Sequence, residues 1–575
     1  MKKSTLALSI AAAIGGMGIA GNALAVTDVL SGAPAGAVMT RNDGGIGHQL
    51  VFPYFTAQGA NATLLSITNT DTTNGKLVKV RFRGAVNSDD IYDFQVALSP
   101  GDIWTAAVTR DATSGAASLS TRDTSCTLPA SVNGTFNLQR VKDGAAAQTL
   151  EGYVEVINMA DIPRITATAN PTTYTTALFT AIKHVNGVAP CTAAILSAKL
   201  GADNTYANLT AAQADGTNAV GLAAPTTGLT GDWVILNQTT TAAWSGSATA
   251  LEVRNSGVAT TGDLVFWPQI SGTPAGVTVG TGATTGLGYL TADPLLTSGI
   301  VAIQNFDLPD LSTAYAGATT ITSAADQADQ TTAQLAASSV ANQYVTDTSI
   351  AAVTDLLFSQ PMRRYSVAVN YKSSSATDPA TAVTTYYPMG STGAVPAAIY
   401  RGATGTRSTT TSTSARTGTT TLAYYQPYSA TALTGNLSLS STTGALCLQL
   451  TAPTRNTIFD REETTPAAAT SPFVISPATV STTAPLSVCG EAAVVSINNG
   501  GTTGASALSA SLARSDFTST SLTTYNNGWV YFATPAAGTV ATGTTNGLPI
   551  LGQSFMRVAN GAVNYGISYP NKVTR

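Results

Sequence analysis

The chain has 575 residues, with 27 basic and 31 acidic side chains and two histidines. A mild acidic excess spread over that length argues against a nucleic-acid binder, which needs clustered Lys and Arg. Charged residues make up 10% of the chain, about 2.5-fold below the usual quarter; Thr, Ser, Asn and Gly take their place, so the deficit marks a neutral, hydroxyl-rich surface rather than a membrane protein.

The first 25 residues read as an export signal. Lys2 and Lys3 form a positive n-region, Leu6 to Ala20 is apolar or small apart from Ser9, and Ala23-Leu24-Ala25 offers small residues to signal peptidase. Cleavage is predicted between Ala25 and Val26. The apolar run is too short and too rich in Gly and Ala for a bilayer span. With no Cys after it and no later apolar run of spanning length, the mature chain is expected to be released, or held at the envelope by non-covalent contacts.

Residues 26–300 read as a first β region. Ala62–Thr68 is a predicted strand, and Asn74-Gly75 supplies the residue pair that hairpin turns favour. In Leu77–Arg83, Val78, Val80 and Phe82 point one way while Lys79, Arg81 and Arg83 point the other. Tyr92–Leu98, a turn at Ser99–Asp102, and Ile103–Val108 follow, with Gly152–Ile157 as a partner strand. Short strands separated by turn signals indicate antiparallel sandwiches rather than βαβ units. A helical insertion is expected near 173–215, with helices at Ala193–Leu200 and Tyr206–Asp215, before strands resume at Gly231–Leu236 and Leu264–Trp267.

A capping-box-like Ser323–Asp326 opens an Ala/Gln-rich run without Gly or Pro up to Tyr344, which predicts a helical connector over 301–345. A second β region, 346–575, begins with Leu356–Pro361 and Tyr365–Asn370. It ends in a hairpin: Ile550–Val558, Asn560-Gly561, Val563–Tyr569. The Thr/Ser/Gly/Ala/Arg run Arg401–Thr420 reads as an exposed loop. The expected fold is mainly β, with two or more antiparallel, immunoglobulin-like β-sandwich domains and short helical insertions.

Four cysteines, Cys126, Cys191, Cys447 and Cys489, suit structural disulfides in an oxidising compartment. Three connectivities are open; pairing sequence neighbours would stabilise by roughly 4 kcal/mol per bridge. No CxxC or zinc-type His spacing occurs. Catalytic motifs are missing as well: there is no GxSxG, HExxH or GxxxxGK[ST]. His48 reads as a packed or edge histidine and Arg363-Arg364 as a sheet-edge pair. Asp89-Asp90 and Glu462-Glu463 read as solvated turns, calcium being the sharper alternative without a DxDxDG-like run. The five tryptophans, Trp104, Trp233, Trp244, Trp267 and Trp529, read as core. Short, uneven strands and a terminus at Lys572–Arg575 argue against a transmembrane barrel.

Several segments resemble the exported surface-layer or cell-surface proteins of β-proteobacteria. They are Gly47–Phe55, Asn69–Asp71 with Val78–Arg83, Leu98–Trp104, Gly152–Val156, Gln360–Arg364, Phe459–Glu463 and Leu548–Gly552 with Asn560-Gly561. The resemblance implies a structural envelope component and brings no active-site residues to carry over; no cofactor is expected from the residues, with calcium as the alternative. The expected partners are copies of the same chain and outer-membrane lipopolysaccharide. The expected location is outside the cytoplasm, at the cell surface or in the extracellular medium ahead of the periplasm. A secreted adhesion or glycan-binding module is the alternative, marked by exposed aromatics on one face, and a secreted enzyme comes third.

Overall fold

The structure is a computed structural model. It describes residues 27–29, 38–164 except 87, 89, 139, 140, 142 and 143, 177–200, 221–266 except 263, 306–307, 331–361 except 332, 367–370, 385–388, 408–414, 418–424, 437–439, 446–450, 457–460, 486–499, 505–519, 526–534, 538–540, 543–545, and 548–575 except 562. The expected export signal, with Ala25 and Val26, lies outside these residues, as do Tyr206–Asp215, Ser323–Asp326, Arg363-Arg364, Trp267 and Glu462-Glu463.

The chain is mainly β, in several antiparallel sheets. In the N-terminal region the strands are β1 (Val38–Asn42), β2 (Gln49–Thr56), β3 (Asn61–Asn69), β4 (Gly75–Gly84), β5 (Asp90–Leu98), β6 (Ile103–Arg110), β7 (Ala117–Ser120), β8 (Cys126–Leu128), β9 (Gly134–Thr135) and β10 (Glu151–Ile162). Two short helices follow, α1 (Ala177–Ile182) and α2 (Ala193–Leu200), then β11 (Leu229–Asn237), β12 (Ala243–Ser247), β13 (Thr249–Asn255) and β14 (Val258–Ala259). A six-stranded sheet runs β9-β7-β6-β3-β11-β12, and an eight-stranded sheet runs β14-β13-β2-β10-β4-β5-β8, with β1 also on β13. Their facing sides share one core, in which Phe52, Val80, Phe82 and Phe94 of one sheet meet Leu65, Trp104 and Trp233 of the other. Each such side chain removed from water contributes about 2–3 kcal/mol.

The C-terminal region supplies β15 (Ser339–Val345), β16 (Val353–Ser359), β17 (Thr457–Asp460), β18 (Ala492–Asn499), β19 (Arg514–Ser519), β20 (Asn527–Ala533), β21 (Gln553–Asn560), β22 (Val563–Pro570) and β23 (Lys572–Thr574). A four-stranded sheet runs β17-β20-β15-β23, and a five-stranded sheet runs β19-β18-β16-β21-β22, in which β18 and β19 are parallel. The regions are joined by a common core: Leu357, Val494, Leu508 and Phe555 belong to the same apolar cluster as Phe52 and Trp233. Phe555 packs against Trp233, Trp244 and Tyr54 at centroid distances of 5.9, 6.3 and 6.4 Å. Among the described residues no helix is long and apolar enough to cross a membrane.

Three sequence expectations are corrected. β3 and β4 form no hairpin at Asn74-Gly75, because the two strands enter different sheets. Neither residue has positive φ; the Asp71 carboxylate makes the turn instead, accepting from the Thr73 and Asn74 N–H groups. The predicted helix up to Tyr344 gives way to β15. There Val340 and Tyr344 are buried between open Gln343 and half-open Ala341, and the strand pairs with β20 and β23. Period-two burial overrode local helix propensity. The expected loop over Arg401–Thr420 contains a ladder of Ser408–Ser414 on Gly418–Tyr424, consistent with the β preference of Thr.

Other expectations agree. The terminal hairpin forms with Gly561 at φ 61°, α2 covers the expected Ala193–Leu200, and Cys126 is bonded to Cys191 (S–S 2.14 Å). The strand Leu446–Leu450 places Cys447 opposite Cys489 of Leu486–Cys489.

Candidate functional site

The residues with chemistry to offer fall into separate places, four within the fold and three on its surface. The first is the row Lys79, Arg81 and Arg83 on β4. Alternation turns these side chains away from the core shared with the six-stranded sheet, yet all three are at most 5% exposed. The reason is a second cover on that face. Leu178, Phe179 and Ile182 of α1, with Leu196 and Leu200 of α2, pack on Leu77, Ile157 and Met159. Met39, Leu335 and Leu551 pack with Val51, Tyr153 and Leu251. Between these apolar patches the cations meet acids on neighbouring strands. Glu155 is opposite Arg81 in register and lies 3.1 Å from Arg83 Nε and 4.0 Å from Arg81 Nη1; Lys79 pairs with Asp93. Burial, then the Glu155 charge, pushes the Tyr153 phenol up, and Tyr153 donates to Pro361 O at 3.1 Å. The row fixes register and ties β10 to the C-terminal region.

The second place surrounds His48. Lys76 is fully buried and donates to Asp161 Oδ1 (2.9 Å), Thr226 O and Thr226 Oγ1 (3.1 Å each). Asp161 accepts further from Asn158 Nδ2 at 3.0 Å and from the Thr226 N–H at 3.1 Å. The ammonium's three protons are spent, so this ion pair is closed to a ligand. His48 lies beside it, with Nδ1 accepting from the Val253 N–H at 3.2 Å. That bond puts the proton of the neutral ring on Nε2. Burial first, and Lys76 second, lower the His48 pKa to about 4. The sequence reading of a packed histidine holds.

His184 sits in a different network. Its Nδ1 is 3.0 Å from Ser99 Oγ and 3.5 Å from Asp102 Oδ2, and its Nε2 is 3.3 Å from Thr124 Oγ1. A hydroxyl, an imidazole and a carboxylate thus meet, but each has structural work. Asp102 also accepts from the Ser99 N–H and the Ser125 hydroxyl, closing the Ser99–Asp102 turn with Gly101 at φ 70°. Thr124 also donates to Gly187 O. The cluster adjoins the Cys126–Cys191 bridge and docks the helical insertion onto the turn.

Two carboxylates that sequence reasoning did not single out hold the segment 505–513, and one of them, Glu151, joins the two regions. Glu151 of β10 accepts from Tyr54 OH (2.9 Å) and from the N–H groups of Ser511 (2.8 Å) and Leu512 (3.2 Å). Asp355 of β16 accepts from Ser496 Oγ and Ser506 Oγ (2.6 Å each) and the Leu508 N–H (2.9 Å). Burial pushes both carboxyls up. Together they hold the irregular segment 505–513 between the sheets. A single acidic residue in an apolar strand was the available signal. Among the described residues no group of three or more His, Cys, Asp or Glu is placed to hold a metal ion.

On the surface, an open groove of about 740 Å³ crosses the outer side of the six-stranded sheet, lined by Leu64, Ser66, Thr105, Thr121, Asp232 and Val234 among others. In the C-terminal region Trp529 breaks the expectation of a tryptophan core. Trp104, Trp233 and Trp244 are buried, but Trp529 is 39% exposed and stacks on Phe459 at 4.3 Å and 14°. On the neighbouring five-stranded sheet, Val563, Tyr565, Ile567 and Tyr569 form an exposed row along β22. Comparison with family models, curated proteins and solved structures finds no match.

Proposed function

We propose that this chain is an exported structural protein of the cell envelope, which self-associates on the outer surface of a Gram-negative cell as a surface-layer or cell-surface component. The observation that carries the reading is β22. It is the last strand of its sheet, and no strand among the described residues pairs with its free edge. One side, through Gly566 and Ser568, lies on β12. The other side presents Val563, Tyr565, Ile567 and Tyr569. An unpaired edge beside an apolar row favours strand addition or face-to-face contact with a like surface. The low charge of the chain supports it further, since few ions need be desolvated at each contact. The resemblance noted above points the same way.

In this reading the export signal delivers the chain, lipopolysaccharide is an anchoring partner, and the protein has no catalytic role. The stacked sheet pairs are read as immunoglobulin-like sandwiches, supported by connections such as β3–β4 and β5–β6 that pass from one sheet to its neighbour. The test is sedimentation and electron microscopy of the chain from Val26 onward, with and without calcium, beside a Tyr565→Lys/Ile567→Lys variant. Ordered assemblies in the first and their loss in the second are expected. A parent that stays monomeric at high concentration, and is absent from the cell surface, sinks the proposal.

A further inference from the structure

The outer side of the four-stranded sheet is built from rows of cross-strand neighbours. Phe459 of β17, Trp529 of β20 and Gln343 of β15 form one row. In the next, Tyr531 of β20 is opposite Ala341 of β15, which is opposite Lys572 of β23. Val530 and Phe532 alternate into the interior, so Trp529 and Tyr531 share the outward face.

The stack gives the direction of the indole. Adjacent strands lie about 4.8 Å apart, close to the 4.3 Å between the near-parallel rings of Phe459 and Trp529. The ring normals therefore run across the strands, from β17 towards β15. Phe459 covers one face of the indole. The other looks toward β15, where the exposed Gln343 is directly opposite Trp529 and the small Ala341, opposite Tyr531, lies diagonally beside it. Beyond Ala341, one further strand away, Lys572 is exposed. The result is a slot with an aromatic wall, a low floor, an amide at one end and an ammonium on the far side. Stacked pairs also occur in the core, as Tyr92 on Phe136 at 4.9 Å and 8°, but there Phe136 is buried, whereas Trp529 is 39% exposed.

We propose that this slot is a carbohydrate-binding site in which the open face of Trp529 takes the apolar face of a sugar ring. A pyranose carries C–H groups on its faces and hydroxyls around its rim. The negative face of an indole attracts polarised C–H groups as it attracts cations. The rim hydroxyls then need donors and acceptors. The Gln343 amide offers both, and the Lys572 ammonium offers protons to a hydroxyl or to the carboxylate of an acidic sugar. Phe459 holds the indole upright, so little side-chain freedom is lost on binding. Tyr531, about 7 Å along the strand, extends the wall toward a second ring of the same chain. The site stands on its own observations, independently of the assembly reading.

The experiment uses the folded chain from Val26 onward and two probes: the delipidated polysaccharide of the producing cell's lipopolysaccharide, and cellohexaose. Binding is read by calorimetry and by tryptophan fluorescence. Trp529→Ala is expected to weaken binding by at least about tenfold, Trp529→Phe to weaken it less, and Gln343→Ala to weaken it without abolishing it. Thermal melts confirm that each variant is folded. Binding of the cell's own polysaccharide alone makes the slot an anchor. Binding of cellohexaose makes it a site for foreign surfaces. Either result, if lost in Trp529→Ala, supports the site. Failure of both probes to bind, or binding that survives Trp529→Ala unchanged, overturns it.

Discussion

On the outer side of the eight-stranded sheet Lys79, Arg81, Arg83 and Glu155 are buried, whereas on the outer side of the four-stranded sheet Trp529 and Gln343 stand open. Both faces belong to strands with period-two alternation, and both turn away from a sheet-to-sheet core. They differ in what lies over them. The insertion helices and apolar residues from the C-terminal region close around the charged row. Outer faces are therefore not interchangeable: one has become a polar seam inside the molecule, and the other presents an aromatic to the surroundings. Charge on the eight-stranded sheet is spent on internal alignment, with Arg81, Arg83 and Glu155 all buried.

Removing Glu155 is the strongest test of the seam. Glu155→Ala takes away the carboxylate shared by Arg81 and Arg83. Breaking a buried pair from one side costs about 3–5 kcal/mol, to be read from urea unfolding. Replacing Glu155, Arg81 and Arg83 together by Leu and two Met should recover most of it. A loss near zero in the single variant would mean that the row is solvated in solution.

Next in size is the pH response of His48, buried on the same sheet. Its folded pKa of about 4 lies below the ordinary 6.5, so between these values the unfolded chain holds more protons than the folded one. Stability from this group is therefore absent below pH 4, grows as pH rises to 6.5, and is complete above it. The span corresponds to roughly 3 kcal/mol. Glu151 and Asp355 act in the opposite sense. Burial raises their pKa values, so the stability they add at low pH is lost as pH rises through the raised folded values. His48→Gln isolates the histidine: the difference between parent and variant should change across pH 4–6.5 and be flat above. An unchanged difference would show that the ring is accessible to solvent protons.

Most strand positions were readable in the sequence, because alternation such as Val78, Val80, Phe82 and a turn pair such as Asn560-Gly561 are local signals. What lies over a strand is not local. Nothing in Leu77–Arg83 distinguishes cations that face water from cations covered by residues near 180, 335 and 551. The same holds for Trp529, whose 39% exposure depends on what packs over that face and not on its own strand. The Asn74-Gly75 reading failed because a turn between strands of two sheets needs a wider arch than a hairpin, and Asp71 supplies it. Local propensity also misplaced 336–344, where pairing with the C-terminal strand decides the outcome.

Gly152 probes how tightly the seam is closed. A Cβ on this residue would lie 1.8 Å from Arg83 O and 2.7 Å from Phe55 Cε1, so Gly152→Ala must part β10 from β4. The expected cost is about 2 kcal/mol, seen as a lower denaturation midpoint. A neutral result would mean that the bulge between Gly152 and Val154 absorbs the methyl group.

The smallest expected effect is the one that separates the two faces most sharply. Trp529→Ala removes an exposed indole whose principal described contact is Phe459, and a stacked pair contributes about 1 kcal/mol beyond area burial. Truncating a buried tryptophan costs about 3–5 kcal/mol. A melting experiment on Trp529→Ala should therefore show a loss near the lower figure, with the unfolding slope unchanged. A loss in the upper range would place Trp529 under a further layer, and the four-stranded face would then be a second covered seam rather than an open one. A small loss leaves the indole free to work on what it meets outside the molecule, where its contribution is measured by binding and not by stability.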